Sequence, residues 1–142
     1  MNSKNNYKLI ELRINMKSIL PKFKFKGEPT VINAPADLSK EFIAMGFPSA
    51  FDKKAKSKDT LIFVNNKKEY ITFMNKNLDK IESDSVLWFA YPKGTSGIKT
   101  DVNRDSLWAM GEEYGITSVS AISINDVWSA LRFRPIDRVG KK

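Results

Sequence analysis

The chain alternates between unbroken apolar runs and segments whose apolar residues recur every three or four positions. Thr30 to Ala34 (TVINA), Thr60 to Asn65 (TLIFVN) and Ser85 to Tyr91 (SVLWFAY) are rich in β-branched and aromatic residues. The last two run without polar interruption, as strands covered on both faces do. Between the runs, Leu38, Phe42 and Met45 recur at helical spacing, behind Asp37 as a candidate cap and ahead of Gly46 as a stop. Asn66 followed three residues later by Glu69 predicts a capped helix start, with Tyr70, Phe73, Met74, Leu78 and Ile81 on one face. Leu107, Met110 or Gly111, and Tyr114 mark a third helix, closed by Gly115. Phe47 to Phe51 reads as one further short strand, and Lys53 to Lys58 as a loop. Ile116 to Ile124 and Val127 to Ile136 are separated only by Asn125-Asp126, a hairpin signal.

This order predicts an α/β fold: a small open, mostly parallel twisted sheet with flanking helices, right-handed crossovers and a C-terminal antiparallel hairpin. A length of 142 residues suits one domain. Residues 1–16 read as a polar, basic extension and residues 17–142 as the domain. With 42% hydrophobic and 28% charged residues, the chain has the composition of a globular protein.

There is no cysteine and no histidine. Disulfides, thiolate metal sites and cysteine nucleophiles are excluded, and so are the commonest general base and transition-metal ligand. Any catalysis is left to Asp, Glu, Lys, Tyr, Ser or Thr, and no metal site is expected. Apolar runs such as Val86 to Tyr91 are far below the roughly 20 residues that span a bilayer, and no apolar segment follows the first residues as in a signal peptide. The expected location is therefore cytoplasmic, with no membrane partner.

The net charge of +8 is unevenly spread: residues 1–58 hold 12 Lys/Arg against 5 Asp/Glu, and residues 59–142 hold 12 against 11. Lys17, Lys22, Lys24 and Lys26, then Lys53, Lys54, Lys56 and Lys58, form lysine stretches with almost no arginine. Such stretches read first as solvated surface, with nucleic-acid binding as the alternative.

In open parallel sheets ligands bind beyond the carboxyl ends of the strands. That rule selects Asn33-Ala34-Pro35, Asn65-Asn66, the loop Pro92 to Asp101 and the turn at Asn125-Asp126. The loop PKGTSGIKT combines two glycines, the hydroxyls of Thr95 and Ser96, and two lysines, which suits a phosphate or carboxylate. The competing interpretation is a crossover loop with solvated lysines. Candidate ligand-binding residues are Lys93, Thr95, Ser96, Lys99, Arg104, Trp128 and Arg132, with Asn33 and Asn65. The partner implied is a small anionic ligand.

Nucleotide motifs do not fit. Gly97 and Lys99 are separated by Ile98, unlike a phosphate-binding P-loop, and the segment after Thr30 to Ile32 has no glycine for a dinucleotide fingerprint. Asp101 with Asp105, and Glu82 with Asp84, read as solvated charges rather than a magnesium site. Along the last strand Trp128, Ala130, Arg132 and Arg134 share a face, and the arginines are placed to clamp an anion or to pair with Asp126, Asp101 or Glu112. Trp88 and Trp108 read as core and helix-packing residues.

The segments LWFAYPKGTSGIKTDVNRDSLW and INDVWSALRFRP resemble a bacterial family known only as a domain of unknown function, from about Leu20-Pro21-Lys22 through VINAP to RFRP. The element order is similar to the distal half of the S-adenosylmethionine-dependent methyltransferase fold, which implies a Rossmann-type sheet. In those enzymes a glycine-rich loop follows the first strand and an acidic residue ends the second. Here VINAP stands in the first place and only Asp52 is near the second, so S-adenosylmethionine is a cofactor without its binding motif. The expectation is a binding domain, with a diverged methyltransferase and a nucleic-acid-binding protein as alternatives.

Overall fold

The computed structural model describes residues 16–140, and the 1–16 extension lies outside them except for Met16. Met16 is buried at 2% exposure, and the helical residues 16–19 run into a 3-10 turn at Leu20–Phe23. Five strands follow: β1 (Thr30–Ile32), β2 (Ser57–Phe63), β3 (Ile81–Pro92), β4 (Ile116–Ser123) and β5 (Trp128–Pro135). Three α-helices connect them: α1 (Ala36–Ala44), α2 (Lys67–Asn77) and α3 (Arg104–Glu113).

The strands form one mixed sheet in the order β1-β2-β3-β5-β4. β1, β2 and β3 are parallel, while β5 runs antiparallel to both β3 and β4. The last strand therefore inserts between its hairpin partner and β3, leaving β4 at the edge with the direction of the first three.

β2 and β3 lack alternation because both faces of the sheet are covered. Ile62, Val64, Leu87 and Phe89 pack with Tyr70, Phe73 and Met74 of α2 and Leu107 of α3. Leu61, Phe63, Trp88 and Ala90 pack on the other side with Phe23 and with Leu38 and Phe42 of α1. Trp88 is 1% exposed, and its indole N–H donates to the Phe23 carbonyl at 2.8 Å, so the polar tip of the largest core side chain is satisfied. Gly111 lets α3 approach the sheet: a Cβ there would lie 2.9 Å from Phe133 Cε1.

Helix ends follow local chemistry. The Phe47 N–H reaches the Phe42 carbonyl and the Gly46 N–H that of Ile43, with Gly46 at φ 86°, closing α1 in a Schellman motif. Asp37 lies inside the first turn of α1 and not at its cap, which is Pro35. Asn66 caps α2 as expected, accepting from the Glu69 N–H at 2.8 Å. A full capping box between Asn103 and Ser106 starts α3.

Several boundaries differ from the sequence pattern. Phe47 to Phe51 form no strand; the segment runs beside the sheet edge, where the Pro48 carbonyl accepts from the Val31 N–H at 2.9 Å. Ile81 begins β3 rather than ending α2, because a 3-10 turn at Leu78–Lys80 reverses the chain first. The hairpin turn is longer than two residues: Asn125 Oδ1 accepts from the N–H groups of Val127 and Trp128, substituting for ladder bonds. Trp108 is 46% exposed, its indole N–H donating to Thr117 Oγ1 on β4, and so is not a core residue. No helix among the described residues is long and apolar enough to cross a membrane.

Candidate functional site

The carboxyl ends of β1, β2 and β3 meet the hairpin turn at one rim. Pairing of Pro92 with Trp128 continues through the Lys93 N–H, which donates to the Val127 carbonyl at 2.7 Å. The Lys93 ammonium donates to Ser123 Oγ at 2.6 Å, across to the end of β4. The glycine-lysine loop therefore leaves the sheet clamped to the hairpin.

Its far end is clamped as well. Thr100 Oγ1 donates to the Asn65 carbonyl at 2.6 Å, and Asp101 Oδ1 accepts from the Lys67 N–H at 2.8 Å. Asp101 thus brings a carboxylate of the chain itself to the positive end of α2. Between the two anchors, Gly94, Thr95, Gly97, Ile98 and Lys99 are exposed, and Ser96 is half-buried with its hydroxyl accepting from the Ile98 N–H.

Asn33 and Asn65 are drawn together by Glu69. Its Oε1 accepts from Asn33 Nδ2, from the Asn65 N–H and from Asn65 Nδ2, each at 3.1 Å. Asn33 holds a left-handed φ of 62° and also donates to the Phe63 carbonyl at 2.9 Å, which fixes the end of β1 to the end of β2. These amide donors are committed within the chain. Beside them lies a cavity of about 490 Å³ with Ile32, Ile62, Phe63, Val64 and Phe73 as its apolar wall, and Asn33, Asn66, Lys68, Glu69 and Thr72 as its polar rim. The volume is within the range of small-molecule pockets.

The remaining candidates are dispersed. Arg104 is exposed at the start of α3, with its charge acting on Tyr91; burial raises that hydroxyl's pKa above its ordinary value. Trp128 is at the rim in sequence, but its side chain is 6% exposed, edge-on to Phe63 at 5.1 Å, in the core on the α1 side. Arg132 lies mid-strand opposite Trp88, four residues from the turn, with Nε buried and unpartnered. Arg134 pairs with Asp84 at 2.9 Å rather than with Asp126, Asp101 or Glu112. Among the described residues no three acidic side chains gather as a metal site would require.

Glu69, Thr100, Asp101 and Ser123 organise the rim without having been singled out from the sequence as site residues. The Asn66–Glu69 spacing signalled a cap; that Glu69 also gathers Asn33 from another strand depends on the β1–β2 register. No protein-family model matches the chain, and a search of curated proteins returns no match.

Proposed function

We propose that the chain is a non-catalytic binding domain that holds a small anionic metabolite at the carboxyl rim of its sheet. The observation that carries this proposal is the glycine-lysine loop, pinned at Lys93 and Thr100 with its tip exposed. The Thr100 anchor falls on Asn65, next to Asn66 in the wall of the 490 Å³ cavity. An apolar body entering that cavity leaves its anionic end to Lys68 on its rim and to the loop segment of Thr95, Ser96 and Lys99, while Lys93, held on Ser123, anchors the loop's other end. Asn33 and Asn65 act as framework, and Trp128 supports the rim from beneath.

A thermal-shift screen against nucleotides, phosphosugars and dicarboxylates tests this. The expected result is stabilisation by at least one class that is lost in a Lys93→Ala, Lys99→Ala double variant. A hit that the double variant binds equally well removes the loop from the site.

The insertion of antiparallel β5 between β3 and β4 favours a second proposal, a diverged methyltransferase of Rossmann-type architecture. It requires S-adenosylmethionine to stabilise the protein in the same screen. No response to that compound at about 1 mM, meaning binding weaker than about −4 kcal/mol, discards it.

A further inference from the structure

We infer that the chain pairs with a second copy of itself through the outer edge of β4, which joins the two sheets antiparallel into one. The two edges of the sheet differ. At β1 the segment 47–51 runs alongside, and the Pro48 carbonyl accepts from the Val31 N–H at 2.9 Å. At the other side β4 ends the strand order, and among the described residues no backbone bond outside the sheet ladder reaches residues 116–123. The Ile124 N–H bonds inward to the Trp128 carbonyl, so by alternation those of Ala121 and Ser123 point outward. Such an edge offers unpaired N–H and C=O groups that another strand can take.

The sequence of β4, ITSVSAIS, has no charge and no proline, the side chains that usually deter such pairing, although 28% of the chain is charged. A bulge between Ser118 and Ser120 interrupts the edge, so backbone bonds alone would hold a copy weakly. Apolar contacts add to them. Val119, left out of the ladder by the bulge, is 39% exposed, and the exposed Trp108 stands over the same strand with its indole N–H on Thr117. A large exposed aromatic beside an exposed aliphatic residue is an anchor of the kind that protein interfaces use.

Charge selects a second copy as the occupant. Glu112 is exposed one turn beyond Trp108 on the same side of α3, and its carbonyl accepts from the Gly115 N–H just before β4 begins. The Lys93 ammonium sits at the opposite end of β4, on Ser123. Ser123 lies two residues on from Ala121, which pairs with Leu131 of the cluster that contains Leu107 of α3. Lys93 and Glu112 are therefore on the same face of the sheet. Antiparallel pairing of β4 with its copy turns one end onto the other without exchanging faces, so each Glu112 comes to the partner's Lys93, twice by symmetry. Arg132 and Arg134 alternate with Leu131 and Phe133 and so leave β5 on the other face. Three strand spacings hold the two copies of Arg132 about 14 Å apart, beyond the screening length of about 8 Å.

Sedimentation velocity of the full chain from about 10 μM to about 1 mM tests the inference, with a folded amide spectrum required of every variant. The expected result is a monomer–dimer equilibrium with a Kd of about 0.1 mM or tighter. Val119→Lys, which puts a charge on the seam, and Trp108→Ala each weaken it about tenfold or more. Glu112→Lys also weakens it, and adding Lys93→Glu to the same chain restores it, as only the antiparallel arrangement requires. Amide exchange at Ala121 and Ser123 slows as concentration rises. A monomer at about 1 mM, a dimer indifferent to Val119→Lys, or a Glu112→Lys defect that Lys93→Glu does not repair overturns the inference. Protection of Ala121 and Ser123 that is independent of concentration also overturns it, because the edge is then covered from within the same chain. Val119 is not part of the carboxyl rim, so loss of dimer and loss of ligand binding are separable results.

Discussion

The backbone N–H of Lys93 meets the carbonyl of Val127 at 2.7 Å, so the loop after β3 and the turn before β5 begin from the same point on the sheet. β5 reaches that point only because it inserts between β3 and β4. Had the hairpin docked with β4 beside β3, β4 would have stood between Lys93 and Val127. The ammonium of Lys93 then finds Ser123 at the end of β4, which orients an otherwise flexible cation.

Removing the two loop lysines should leave the fold intact. Lys99 is exposed and Lys93 half-buried. Exposed substitutions of this kind change stability by about 0.5 kcal/mol or less. Urea unfolding of the Lys93→Ala, Lys99→Ala variant is expected to reproduce the wild-type midpoint closely, so lost binding in that variant reports on the site.

Glu69 is a different case. Its carboxylate serves Asn33, Asn65 and Asn66 at once, and replacing it by alanine leaves several donors without acceptors at the end of two strands. Glu69→Ala is expected to cost about 2 kcal/mol in chemical denaturation. Amide exchange should accelerate first at Asn33 and Asn65. A loss confined to α2 would show that Glu69 acts only as a cap.

Gly111→Ala tests the closeness of α3 to the sheet. Alanine in an exposed helix interior stabilises by about 1 kcal/mol relative to glycine. Here the new methyl meets Phe133 at 2.9 Å and the Ile116 carbonyl at 3.2 Å, and neither can yield freely. Overpacking of about 1–3 kcal/mol wins, so net destabilisation is expected in thermal or urea unfolding.

Asp84 carries a pH dependence. The hydrogen bond from Arg134, aided by the charges of Arg134, Arg138 and Arg132, holds its carboxyl below the usual carboxylate range. A depressed acid stabilises the fold above its unfolded pKa, near 3.9, and this contribution is lost as pH falls through the folded value. The Tm difference between wild type and Arg134→Gln should be constant from pH 7 to about 5 and close below about pH 4. The difference is small, since the pair is largely exposed.

Both helix-linked parallel strands and the hairpin were legible in the sequence because β2 and β3 are buried on both faces and the glycines at 46 and 115 end their helices. Ile81 was misplaced because its spacing from Leu78 fits a helix, while only tertiary packing decides that the chain turns there. Phe47 to Phe51 had strand composition but joined the sheet through one bond to Val31. The loop at 92–100 was visible as chemistry, whereas the cavity beside it and the Asp84–Arg134 clasp depend on registers that no local pattern encodes. Trp128 illustrates the limit of position alone: it follows the turn, yet alternation sends its ring into the core.

The most direct measurement is an amide NMR titration of the wild-type protein with adenosine monophosphate, a probe that joins a phosphate to a planar ring system. The expected result is shifts clustered at residues 93–100 and at Asn66, Lys68 and Thr72, saturating together and absent in the double lysine variant. Shifts that avoid these residues, or that persist unchanged in the variant, contradict a binding site at the carboxyl rim.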